Sequence, residues 1–297
     1  MPSTRAIRGR IRSVKNIAQI TRALQMVASS RMRRAQERVE QARPYADQIR
    51  ELMSRLARVT DDQDVANLAL LRQRPVRNIG YLLFTPDRGM AGALSSNINR
   101  RAYASAQEQQ QHLAEQGNRP GTEYIAVGRK GRDFVIRNQY HLMAEFTNYG
   151  DRPSLTDATA IAQVATDAFL KGEVDLVYVI YPKFVNTVTQ VPSVVQLLPV
   201  QPPETEDNAR RERIDYIYEP DAASIFEALL PRYIDVQVYQ ALLETLASFY
   251  SAQMVAMKNA TDNANELLQD LTLTYNKARQ AAITTQILEV VAGANAE

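Results

Sequence analysis

The sequence predicts an α/β domain inserted between two long terminal helices, which fold back on each other as an antiparallel coiled coil. Three patterns lead there. An apolar seam with a 3.5-residue average period starts at Ile7, and a second starts at Leu229. Between them the period shortens to that of β-strands alternating with helices, the signature of a layered domain with parallel strands. The boundaries expected are 1–60 for the first helix, 77–200 for the inserted domain and 209–297 for the returning helix.

Steps of four and three residues from Ile7 give Ile7, Ile11, Val14, Ala18, Thr21, Gln25, Ala28, Met32, Ala35, Val39, Ala42, Ala46, Ile49 and Met53. All but Thr21 and Gln25 are apolar. Ser3 or Thr4 is placed to cap the start, and Pro44 inside the pattern should bend the helix by removing one backbone donor. At 1.5 Å per residue this rod would reach ~80 Å.

The middle of the chain reads as strands at 78–84 (NIGYLLF), 123–128 (EYIAVG) and 174–181 (VDLVYVIY). Helical patterns lie at 94–115, 129–138 and 155–171. The stretch 184–200 reads as a final edge strand or hairpin, because its two prolines cannot donate to a ladder. A polar connector, QPPETEDN at 201–208, follows.

The second seam runs Leu229, Tyr233, Val236, Gln240, Leu243, Ala247, Tyr250, Met254, Met257, Thr261, Ala264, Leu268, Leu271, Tyr275, Ala278 and Ala282. Asp221 is a start signal and Gly293 a stop; Pro231 falls near enough to the beginning to be tolerated. This rod would be ~105 Å long, roughly 25 Å more than its partner. Its last stretch, QAAITTQILEVVAGANA (280–296), carries one charge, Glu289, and should project unpaired with apolar side chains that need cover.

Composition excludes much. There is no cysteine, hence no disulfide, thiolate nucleophile or cysteine metal site, and the only two histidines, His112 and His141, stand apart. No apolar run approaches the 18 or so residues of a membrane span, and no signal or transit peptide is recognised at the N-terminus. No GxxxxGK[ST] or GxGxxG occurs. GRKG (128–131) occupies the place of an anion-binding turn, but four residues with two glycines suit an ordinary strand-to-helix turn better. The loop TPDRGMAGALSSNINR (85–100) offers Asp87, Arg88 and Ser95 without assembling a base, a nucleophile and an orienting group. No cofactor or metal is expected.

Charge is unevenly spread. Residues 1–58 hold 14 Lys/Arg against 4 Asp/Glu, and residues 208–297 hold 7 against 12. The basic stretch from Arg5 to Arg34 has no aromatic interleaving and no nucleic-acid motif, so a helix flank aimed at acidic protein loops fits better than one aimed at phosphates.

Several segments resemble the gamma subunit of F-type ATP synthase. They are IRSVKNIAQITRALQMVASSRMRRAQ (11–36), FTPDRGMAGALSSNINR (84–100), YIYEPD (216–221), MVAMKNATDNANEL (254–267) and LTLTYNKARQAAITTQILEVV (271–291), in the family's order over essentially the whole chain. The resemblance implies a non-catalytic rotary shaft. Its terminal helices would stand inside a hexamer of alpha and beta subunits, and its α/β domain would join the epsilon subunit and the membrane c ring. Proton flow would turn the ring. A bacterial plasma membrane, cytoplasmic side, is the implied location.

By position, Arg8, Arg12, Lys15, Arg33 and Arg34 match the family's basic helix facing acidic beta loops. Leu24 and Met26 match an apolar rotor–stator contact, which the polar pair Thr21 and Gln25 would adjoin. Arg279, Gln280 and Thr284 match polar residues that bind a beta loop high on the shaft. The chain departs from the common pattern at Phe249, Tyr250, Gln253, Thr285 and Gln286, leaving that upper contact less charged. The alternative is a ligand-binding α/β protein whose coiled-coil arms join separate chains.

Overall fold

The computed structural model describes residues 3–60, 68–115, 117, 119–201, 219 and 221–294. Two helices dominate. Helix α1, Thr4–Val59, is capped by Ser3, whose hydroxyl accepts from Ala6 N at 3.3 Å, and it continues through Pro44. Helix α5, Ala222–Ala294, starts at Asp221. The Asp221 carboxylate accepts from Ser224 N and from Ser224 Oγ, each at 2.8 Å, and these bonds hold its pKa below the usual value. Gly293 does not stop α5, which ends one residue later. The connector at 201–208, apart from Gln201, and most of YIYEPD lie outside the described residues.

Between these helices come β1 (Asn78–Phe84), α2 (Leu94–Glu115), β2 (Gly121–Val127), α3 (Arg129–Arg137), β3 (His141–Phe146), α4 (Leu155–Lys171), β4 (Leu176–Phe184) and β5 (Gln190–Leu198). The sheet order is β3-β2-β1-β4-β5, parallel except for β5, which is antiparallel to β4. This is a doubly wound, Rossmann-like half with a hairpin at one edge. The expected strand at 174–181 extends to Phe184, and the proline-containing stretch after it forms β5. Strand β3 was not anticipated from the sequence: HLMAEF is half-buried or exposed throughout and lacks a clean alternation.

The chain divides into two compact units, one built from the two chain ends (up to Ser30 and from Gln253) and the other comprising Arg31–Ala252. In the second unit the strands alternate faces. Leu82, Phe84, Ile125, Val127, Val177 and Val179 point into one core, shared with Ile49, Met53 and Leu56 of α1, Ile161 and Phe169 of α4, and Leu230, Ile234 and Val238 of α5. On the other face, Tyr178, Tyr81, Tyr124 and Tyr140 stack in a row with ring centroids 5.5–5.8 Å apart, and Tyr81 Oη donates to Ser105 O of α2 at 3.5 Å. The segment before β1 is tied down by Arg74, whose guanidinium bonds Asp175, Phe169 O and Val174 O.

Candidate functional site

In the unit made of the chain ends, α1 and α5 pair antiparallel. Two contacts fix the register. Thr21 Oγ1 and Thr261 Oγ1 share a buried hydrogen bond of 2.7 Å. Arg8 Nη2 donates to Tyr275 Oη at 2.5 Å, with its guanidinium 5.4 Å from the ring centroid. Paired residue numbers sum to 282 in the first case and 283 in the second. Thr21 and Thr261 are each one of two polar residues in their seams, beside Gln25 and Gln240, and they meet each other. Thr21 therefore faces inward, as its place in the seam requires. A buried polar layer in an apolar seam is a common device for specifying register.

The seams themselves are observed. Every one of the fourteen α1 positions is buried or half-buried, and of the sixteen α5 positions only Ala282 is exposed. Because α1 begins at Thr4, the sum of 282 ends its partner at Ala278. Beyond that point every residue from Arg279 to Val291 is exposed, including Ile287 at 57 % and Val290 at 71 %. The unpaired apolar tip follows from the register.

The candidate side chains sort clearly. Arg12, Lys15 and Arg33 are exposed on α1, as is Arg34. Arg8 is exposed too, but it holds Tyr275 across the seam. Leu24 is half-buried, and Met26 is 66 % exposed. Ile17, Ile20 and Val27 are also about half exposed or more. With Leu24 they form a stripe at spacings of three, four and three, which is a second apolar face beside the seam. On α5, Arg279, Gln280 and Thr284 are exposed, and the Thr284 hydroxyl donates back to Gln280 O at 3.0 Å, leaving only its acceptor side for a partner.

In the other unit, the carboxyl ends of β1, β2 and β3 face a cavity of about 380 Å³ against α5, lined among others by Asp87, Arg88, Gly128, Tyr149, Phe249 and Tyr250. Sheets of this type bind ligands at such a place. Here the chain fills the anion position itself. Asp87 accepts from Arg129 N at 3.0 Å and from Asn148 N at 2.8 Å. Lys130 N bonds Pro86 O at 3.3 Å and Gly131 N bonds Thr85 Oγ1 at 2.7 Å, so the first N–H groups of α3 are taken by the loop 85–87. Gly128 has φ 99°, and a Cβ there would lie 1.8 Å from Thr85 O, which explains the glycine without a phosphate. GRKG is a close-packed turn.

On the rim of that cavity, Asp151 pairs with Arg31 of α1 at 3.0 Å and receives the hydroxyl of Tyr250 of α5, while Arg38 donates to its backbone carbonyl at 2.6 Å. Burial, then the neighbouring Asp151, push the Tyr250 phenol up to about 12. Among the described residues no group of three or more His, Cys, Asp or Glu could hold a metal, and no helix is long and apolar enough to cross a membrane.

Fold and site together define a stalk-type protein, with two chain ends wound into an antiparallel pair and an α/β domain in the loop between them. The family model described as ATP synthase matches residues 3–296. Over 297 residues the chain is 50% identical to the ATP synthase gamma chain of Roseiflexus castenholzii, covering 100% of this chain and 99% of that one. It is 46% identical over 297 residues to the gamma chain of Chloroflexus aurantiacus, again covering 100% and 99%. Among solved structures it resembles a chain of the Tetrahymena thermophila mitochondrial ATP synthase central stalk and c-ring, at 25% identity and TM-score 0.60, covering 81% and 99%. A chain of the Euglena gracilis mitochondrial ATP synthase in rotational state 3 shares the fold at TM-score 0.68 and 19% identity, covering 99% and 94%. The chain belongs to the gamma-chain family of ATP synthase.

Proposed function

We propose that this chain is the rotary shaft of a bacterial F-type ATP synthase. It couples rotation of a membrane c ring to the conformational cycle of the beta catalytic sites and performs no bond chemistry itself. The observation that carries the reading is the register of α1 against α5, which leaves the largely apolar helix 280–291, with Glu289 its one charge, without a partner among the described residues. A surface of that kind demands a surrounding protein, and in this family the surround is the alpha–beta hexamer. The domain at 77–200 is the base, which joins epsilon and the c ring, and the arms at 1–60 and 209–297 form the shaft. The assembly sits on the cytoplasmic side of the plasma membrane, peripherally.

The contact residues divide by chemistry. Arg12, Lys15, Arg33 and Arg34 face acidic beta loops, and Arg8 contributes the N–H groups that Tyr275 leaves over. Leu24 and Met26, joined by Ile17, Ile20 and Val27, present the apolar rotor–stator contact. Arg279, Gln280 and Thr284 meet a beta loop higher up. Each face of the shaft stabilises a different beta conformation by a different contact free energy, which is how rotation shifts site affinities.

Affinity purification of the tagged chain from its native membranes tests this. The account expects co-purification of a nucleotide-hydrolysing hexamer with epsilon and c subunits. Recovery of the chain as a homodimer without a hexamer, or steeply salt-dependent DNA binding by it, would contradict the reading.

A further inference from the structure

One polar face of α5 has no role in the coiled-coil seam. Glu244, Ser248 and Ser251 follow each other at steps of four and three, each one residue after a seam position, and they are 5%, 0% and 0% exposed. All three bond to the β4–β5 hairpin. Ser248 Oγ donates to Pro182 O at 2.8 Å, and Ser251 Oγ donates to Thr187 O at 2.6 Å. Phe184 N donates to Glu244 Oε2 at 3.2 Å, and Gln190 Nε2 reaches Ser251 Oγ at 3.4 Å.

The backbone explains why polar side chains are needed there. Strand β1 pairs with β4 only as far as Leu83 opposite Ile180, whereas β4 runs on to Phe184. On its other side β4 places Pro182 opposite Pro192, and neither proline has an N–H to give. Pro182 O and Phe184 N would be left open at this overhang, a costly state for buried backbone groups. Helix α5 closes both, standing in for the strand that is missing.

We propose that Glu244, Ser248 and Ser251 form the joint through which torque passes between the base domain and the C-terminal helix of the shaft. The inference rests on the shaft reading. Apolar side chains alone would hold α5 against the hairpin, but dispersion contacts are non-directional and survive a small slip. A shift of one residue along the helix, ~1.5 Å, moves all three polar side chains off their backbone partners at once. The joint therefore resists sliding and twisting in a way that the apolar Phe226, Leu230 and Ile234 contacts earlier on α5 do not. These are positioning residues: they touch no nucleotide and act through the orientation of α5.

Torsional stiffness is the decisive readout, because a role in folding alone would not change it in assembled complexes. The chain has no cysteine, so one introduced at an exposed base position can carry a bead. With the complex immobilised through its hexamer and arrested by nucleotide, the variance of bead angle measures stiffness. Ser248→Ala with Ser251→Ala removes two hydroxyls and leaves the packing; variance should rise about twofold. Each single variant is read by the same criterion. Glu244→Gln keeps an acceptor for Phe184 N and should stay near wild type. Unchanged variance in rotating Ser248→Ala and Ser251→Ala complexes would overturn the joint. A wild-type chain that assembles no rotating complex would instead overturn the shaft reading.

Discussion

At the scale of single residues, the most informative groups are polar ones in apolar surroundings. Thr21 and Thr261 bond to each other inside the seam, and each also donates to or contacts its own helix carbonyls at positions three or four back. Replacing Thr21 by Ala should cost about 1 kcal/mol, and the Thr21→Ala, Thr261→Ala cycle should show coupling of similar size by thermal unfolding. Glu244 offers a pH test. Burial raises its carboxyl pKa against the smaller opposing effects of Gln240, Phe184 N, Lys183 and Arg43, and Tyr181 lies on the same side. The native state then holds a proton that the unfolded state releases. Its contribution to stability is full below the ordinary value of 4.5 and declines as pH rises through the raised native value. Denaturant melts across that range should show this decline, and Glu244→Gln should flatten it. Gly128 is a third case. With φ 99° and Thr85 O in the way, Gly128→Ala should destabilise the α/β unit by at least ~2 kcal/mol in the same assay.

At the scale of elements, sequence periodicity was sufficient wherever an element buries one continuous face. Both seams, α2, α3 and α4, and strands β1, β2 and β4 were legible, because apolar spacing directly encodes a buried face. Strand β3 was not, since HLMAEF buries no face fully and holds its place by parallel pairing with β2. Register was not legible either. A seam repeating every seven residues looks the same after a one-heptad slip, so the sequence located the seams but not the partners Arg8–Tyr275 and Thr21–Thr261. The observed sum of 282 places Ile11 opposite Leu271. Cysteines at those two positions, joined by a short bismaleimide, should crosslink within one chain, as shown by an unchanged mass on denaturing gels. Crosslinking only between chains would mean swapped or parallel arms. The same register makes the tip separable: truncation from Ile283 should leave the melting of the α/β unit unchanged and reduce proton pumping per ATP hydrolysed in reconstituted membranes.

At the scale of the whole molecule, the proposed reading divides the fold into a mount and a shaft. Asp87 fills the place where a doubly wound sheet would take a phosphate, and the role proposed for this domain is that of a mount. Fixing α5 to that mount with buried hydrogen bonds, while leaving α1 flanks and the helix tip open to partners, is the division of labour a shaft requires. The direct measurement of that claim is rotation. The chain, reassembled with an alpha–beta hexamer that lacks its own gamma subunit and carrying a bead on the inserted domain, should turn in one direction when ATP is supplied. A hexamer that binds the chain and hydrolyses ATP while the bead stays still, or turns without preferred direction, would contradict the account.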